Sequence, residues 1–228
     1  MNCRTSRTDF VIVLGLIGIL GMLITIISDF ILLAKPTDAY TFFKMGTETM
    51  ADISSWRITV GTFLGVIVLP IQILGLIPLY YALKPAGKVQ SRIVFFISAH
   101  ALMMGVGFHT AYAYMGSGWR LYHNVVTDKD LVLDLMHRYD FYWRIIIIIM
   151  MSELIVSSIL YVIILLKGKS MFPKWMALLN PVFIMALVLP LIAVLPAPVG
   201  GYVAPAVLNI STLVFVSIIM IQYKRKKV

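Results

Sequence analysis

Five ionisable side chains lie within or at the ends of long apolar runs of this chain: Asp29, His100, His109, Arg144 and Glu153. Gln72, Asn180 and Asn209 are milder polar cases in the same kind of setting. An ionisable group in hydrocarbon is expensive, so each is by default a candidate for binding, proton transfer or catalysis. A carboxylate beside an imidazole can move protons or ligate a metal, and a guanidinium can hold an anion. Counted along their runs, Asp29 and His109 fall at similar depths in the outer half, where they could meet. Arg57 and Arg144 fall at the outer ends of two further runs, and His100 and Glu153 lie closer to the midplane.

Helical phase decides which of these groups can share a cavity. At about 100° per residue, His100 and His109 face opposite sides of one helix, so they are not a ready-made pair of metal ligands. His109 shares a stripe with Gly105, Tyr112 and Gly116. Arg57, Gly61, Gly65 and Gln72 form a second stripe, and Gly18, Gly21, Thr25 and Asp29 a third. The glycines read most simply as close helix packing. The polar ends of the stripes predict a cluster under the outer surface made of Asp29, Arg57, His109 and Tyr112. Arg120, His123 and Arg144 are its expected rim. Asp29, Arg57, His109, Tyr112 and Arg144 are thus the ligand-binding candidates, and His100 and Glu153 the proton-relay candidates. The structural alternatives are a buried Asp29–Arg57 salt bridge and a protonated Glu153 bonded to a neighbouring helix, with His100 as one partner.

The elements that must position these groups follow from composition. Of 228 residues, 61% are hydrophobic and only 13% charged, which is too little charge to cover a soluble globular enzyme. Apolar runs at 10–34, 57–83, 93–116, 141–166, 174–195 and 205–223 are each near or above the length that crosses about 30 Å of hydrocarbon. Runs such as 145–151 are apolar on every face, which excludes the alternation of a strand barrel. The expectation is an all-α, multi-pass bundle of six transmembrane helices forming one domain over residues 1–228. The first run is too long for a signal-peptide core and is expected to remain as a span. Pro70, Pro78, Pro181 and Pro190 predict kinks or irregular turns.

The net charge of +9 sorts by side. Arg4, Arg7, Lys84, Lys88, Arg92, Lys167, Lys169, Lys174 and the run 224–227 supply twelve of the 19 basic residues, with Asp9 the one acid beside them. By the positive-inside rule both termini and the two short basic loops are cytoplasmic. The excess charge is therefore a topology signal that favours anionic inner-leaflet lipids, and no nucleic-acid partner is expected. The segment 119–143, with Leu131, Val132, Leu135 and Met136 among charged residues, is expected to lie on the outer surface as an amphipathic helix. The lone cysteine, Cys3, excludes a disulfide within the chain. The Asn209-Ile-Ser211 sequon lies inside a span, out of reach of glycosylation.

Asp29-Phe-Ile-Leu-Leu, Ser54-Ser-Trp-Arg57 with Gly61 and Gly65, and the segment from His100 to His109 resemble an uncharacterised bacterial family of six-helix membrane proteins, a domain of unknown function. The resemblance covers most of the first 116 residues and is weaker beyond; it implies fold and cell-membrane location but no substrate. Intramembrane metal hydrolases of the alkaline ceramidase and adiponectin-receptor type are a second comparison. Their seven spans and late HxxxH pair are absent here, since no histidine follows His137. The expected function is an outward-facing polar pocket that binds a small polar or amphiphilic ligand. The alternatives are a lipid hydrolase using a metal or acid/base pair, and a proton-coupled transporter centred on His100 and Glu153. No cofactor is expected, zinc entering only with the hydrolase; membrane lipids are the expected partners, and the oligomeric state and any enzyme activity stay open.

Overall fold

A computed structural model describes residues 3–124 and 127–227, with side chains described over 8–124 and 127–226. The side chains of Cys3, Arg4, Arg7 and Lys227 lie outside that set. Among the described residues the fold is helical throughout, with no strand. α1 is Cys3–Leu33, and after it come the short α2, Ala39–Lys44, and a 3-10 helix, Thr47–Asp52. The second span is built in three pieces: α3, Ser55–Gln72, a 3-10 turn, Ile73–Leu76, and α4, Ile77–Leu83. Pro70 and Pro78 flank that turn: their missing N–H groups and rings disfavour unbroken α-helix there. α5, Lys88–Asn124, and α6, Lys129–Leu166, form the longest pair. A 3-10 helix, Lys174–Leu179, leads to α7, Pro181–Ala193; then come α8, Val199–Val203, and α9, Val207–Lys227.

Five helical stretches are long and apolar enough to cross a membrane: Thr8–Leu33, Ser55–Ala86, Lys88–Asn124, Lys129–Leu166 and Val199–Lys226. Their outward faces carry Leu16, Phe63, Ile67, Phe96, Ile148 and Ile221, all exposed, as helices suited to a lipid surrounding would. The expected span at 174–195 differs. It breaks at Asn180, whose extended backbone and side chain cap α7 by accepting from Phe183 N at 3.0 Å, with Pro181 in the first turn. The 13 residues of α7 cover only about 20 Å at 1.5 Å per residue. The expected surface helix within 119–143 is also corrected. α5 runs on to Asn124 and α6 begins at Lys129, so these residues extend the two long helices. Met136 is the reason: fully buried with Met115, Trp119 and Met50, it ties the start of α6 to α5.

Two backbone bonds orient the chain between the bundle's ends. Met171 N donates to Ala82 O, placing residue 171 beside the end of α4. Val11, Leu83 and Tyr223 belong to the core cluster at that end, the terminal end. Ala39 N donates to Leu195 O at 3.1 Å, placing residue 195 at the opposite, capped end. There Lys35 N donates to Gly201 O at 3.2 Å and Gly201 N donates to Thr37 O at 2.7 Å, so 35–39 and 195–201 form one hydrogen-bonded roof. In the bundle α1 packs on α3 and α9, α3 on α5, α5 on α6, and α7 on α9. Gly18 of α1 meets the backbone of Gly75 so closely that a Cβ would collide with it, which is the packing role read for these glycines.

Candidate functional site

A chain of hydrogen bonds runs through the bundle below the roof. Thr25 Oγ1 donates to Gly21 O at 3.0 Å, a bond local to α1, and accepts from Gln72 Nε2 of α3 at 2.8 Å. Gln72 Nε2 also donates to Asn209 Oδ1 of α9 at 3.2 Å. Asn209 Nδ2 donates in turn to Asp29 Oδ2 at 2.7 Å. Asp29 Oδ1 lies 3.3 Å from His109 Nε2 of α5, and both side chains are nearly inaccessible. Four helices are thereby joined through polar atoms that lipid could not satisfy, since each unpaired group in hydrocarbon costs several kcal/mol by rough estimate.

His109 is held from behind by a glycine. A Cβ at Gly65 would strike the imidazole at Nδ1, Cε1 and Cγ, so α3 comes within ring contact of α5 only because residue 65 has no side chain. His109 Nδ1 is buried there without a partner. The ring therefore presents Nε2 to Asp29 and keeps its other nitrogen against α3.

Beside the Asp29–His109 pair lies a cavity of about 330 Å³. Its polar groups gather near the capped end: Asp29, His109, Asn209, Tyr112, and Lys35 with Thr47 and Thr49 in the roof. The remainder is mostly apolar and rich in methionine, including Met150, Met151 and Met185, with Phe108 and Trp143 stacked at 5.4 Å; Ser211 and Thr212 also line it, their hydroxyls bonded back to Val207 O and Leu208 O of α9. Trp143 Nε1 is buried without a well-formed hydrogen bond. Lys35 Nζ donates to Thr49 O at 2.5 Å, closing the roof over the cavity. Burial pushes the Lys35 ammonium below its ordinary pKa; neighbouring Asp52 opposes this, and the charge of Arg57 adds to it.

Of the residues singled out in the sequence, Asp29, His109 and Tyr112 share this cavity. Arg57 does not join them, and the expected Asp29–Arg57 salt bridge is corrected. Arg57 Nε donates to Ile31 O at 2.7 Å and its Nη2 to Ala34 O at 2.6 Å, so it caps the carbonyl end of α1. Arg144 pairs with Asp140 at 2.5 Å, its side chain 67% exposed and off the cavity wall. Arg120 binds Ser55 Oγ and Ile53 O, and His123 packs edge-on to Tyr122. His100 and Glu153 do meet, at 2.6 Å, with the His100 side chain 61% exposed. They lie outside the cavity lining. Asn209, weighed as a mild case, is the true partner of Asp29. Its signal was an amide in an apolar helix, which needs a partner wherever it lands.

Among the described residues no group of three or more His, Cys, Asp or Glu side chains converges, and a zinc centre takes at least three protein ligands. Asp29 and His109 supply two.

Fold and site together define a helical bundle with helices long and apolar enough to cross a membrane and a buried polar chain beside a mostly apolar cavity. The chain belongs to DUF6796, a family of unknown function, whose model matches residues 8–226. The match extends well past the first 116 residues, where the resemblance was legible by eye. No curated protein and no solved structure matches the chain.

Proposed function

We propose that this is a multi-pass cell-membrane protein with both termini in the cytoplasm, whose cavity binds a small amphiphile. The observation that carries the reading is the polarity of the cavity along its own length. Hydrogen-bonding groups cluster at the capped end around Asp29, His109 and Asn209, and the wall below them is methionine and aromatic. A pocket at the lower end of the roughly 300–1,000 Å³ range of ligand sites, mostly apolar with a few convergent polar groups, suits a molecule with one polar head and one apolar body. Asp29 has carboxylate lone pairs beyond its two present partners, so the head that fits is a hydrogen-bond donor such as an alcohol, amide or amine.

The same geometry supports a reading of six crossings. The segment 171–195 starts beside Ala82 and ends beside Ala39, so it traverses the bundle even though α7 alone is short. Residues in 3-10 and extended conformation rise faster than α-helix, which makes up the length. The basic residues of the terminal end favour that end in the cytoplasm. Membrane-impermeant maleimide applied to intact cells should label a cysteine at Thr47 and not one at Lys88, in a Cys3→Ser background. The reverse pattern sinks the orientation.

Binding is tested by titrating the purified chain with dodecanol, dodecylamine and dodecanoate. The alcohol and the amine are expected to bind, and Asp29→Ala to weaken both by about tenfold, the worth of one charge-assisted hydrogen bond. Equal affinity for all three, unchanged by Asp29→Ala, would refute the assignment of the head.

A further inference from the structure

We infer that the cavity is filled from the bilayer, through the seam between α6 and α7, and that its ligand is a single-chain lipid. This rests on the amphiphile-binding reading and adds the source and class of the ligand. The α6 wall of the cavity is Ile147, Met150, Met151 and Leu154. Their spacing, i, i+3, i+4 and i+7, is one helical stripe. None of the four is buried, although they face a cavity inside a bundle. Across from them stand Pro181 and Met185 of α7, also only partly covered.

The two helices are tied near the terminal end, where Val182 N donates to Ser158 Oγ at 3.4 Å and Tyr161 Oη donates to Met176 O at 3.2 Å. Beyond Ser158, toward the capped end, α7 packs on α9, and the α6 stripe faces the cavity instead. The break at Asn180–Pro181 produces this arrangement, because it lets α7 restart on a new axis. At the capped end the bonds from Lys35 to Thr49 and Gly201 and from Ala39 to Leu195 tie the roof down, although Phe43 and Gly46 of the lining are exposed there. The roof is held by these bonds and the side is lined by flexible methionines, so the side that parts most readily is the one facing the hydrocarbon. A cavity of about 330 Å³ stands at the small end of the roughly 300–1,000 Å³ range of ligand sites, which suits one acyl or alkyl chain better than two.

Trp143 lines the cavity and serves as the reporter. The full-length chain carrying Trp56→Phe, Trp119→Phe and Trp175→Phe is reconstituted in vesicles and titrated with three probes. These are a fatty alcohol brominated along its chain, a phosphatidylcholine brominated on both chains, and water-soluble 2-bromoethanol. The single-chain alcohol should quench Trp143 saturably, and the two-chain lipid only in proportion to its membrane concentration. Met151→Phe and Met185→Phe narrow the seam and should each slow or weaken the saturable quenching by about tenfold. Met151→Ala widens it and should speed quenching, a gain that misfolding cannot mimic. If neither narrowing nor widening moves the rate or the midpoint while the alcohol still saturates, lateral entry is wrong and the pocket stands. If the two-chain lipid saturates as well, the single-chain class is wrong. If no brominated probe saturates, the amphiphile reading fails along with the inference built on it.

Discussion

Gly65→Ala tests the site at the point where its geometry is tightest. The added methyl would occupy space held by Nδ1, Cε1 and Cγ of His109, all within 3 Å of where it must sit. The ring cannot retreat freely, because its other edge faces Asp29 at 3.3 Å and Tyr112 and Phe108 pack edge-on to it. Overpacking of this kind costs about 1–3 kcal/mol. Gly107 supplies the control on the same footing: a Cβ there meets only Ile146 Cδ1 at an ordinary 3.6 Å. Gly107→Ala should therefore be neutral or stabilising, by up to about 1 kcal/mol from helix propensity. Equilibrium unfolding of the full chain in mixed micelles measures both. The decisive version is a double-mutant cycle: in a His109→Ala background Gly65→Ala should lose most of its cost, a coupling of about 1–3 kcal/mol. If Gly65→Ala costs the same with and without the imidazole, His109 does not rest on α3 and the description of the site is wrong.

Four further outcomes are expected. Asn209→Leu removes the Asn209 Nδ2–Asp29 Oδ2 bond and one of the two acceptors of Gln72 Nε2; unfolding experiments should find a loss of about 1–2 kcal/mol, near the upper range for hydrogen bonds between membrane helices. Arg57→Ala should destabilise by about 1–2 kcal/mol, because two carbonyls at the end of α1 lose their donor, and Arg57→Lys should not fully rescue it. Arg144→Ala, by contrast, should change stability by less than about 0.5 kcal/mol, since its partner is an i,i+4 surface pair. Asp38 caps α2 by accepting from Thr41 Oγ1 and N, bonds that hold its carboxyl below the usual 3.8. A depressed folded-state pKa means this stabilisation is present above pH 3.8 and is lost as pH falls through the folded value. Asp38→Ala should accordingly be less stable than wild type at neutral pH, and a pH series of melting temperatures should bring the two together in acid.

Much of the molecule was legible without coordinates where one-dimensional information suffices. Hydrophobic runs longer than a bilayer is thick can only be helices when every face is apolar, because the backbone must satisfy itself within the segment. Helical period likewise put Asp29 with Gly18 and Thr25, and His109 with Gly105 and Tyr112, on the faces that turn inward. It also separated His100 from His109, and the two do lie in different environments, one exposed beside Glu153 and one buried against Asp29. The break at Asn180–Pro181 was visible as a proline signal, but the apolar run around it was long enough to read as one span. Length and apolar content do not register a cap that redirects the axis.

Which polar faces meet was decided only in three dimensions. Asp29 had three plausible partners on three other helices, Arg57, His109 and Asn209, and nothing within any one helix ranks them. The choice turns on how far each helix slides and rotates against its neighbours, which is set by side-chain size at the contacts: Gly18 against Gly75, Gly65 against His109. Those close approaches bring α5 and α9 to Asp29 and leave Arg57 level with the end of α1, where free carbonyls are the nearer and better acceptors. The cavity has the same origin, since it is the space that α6 and α7 leave between them above Ser158. Composition and period determined that this chain is a membrane-helix bundle with a few inward polar groups; packing between helices determined which of those groups became a site.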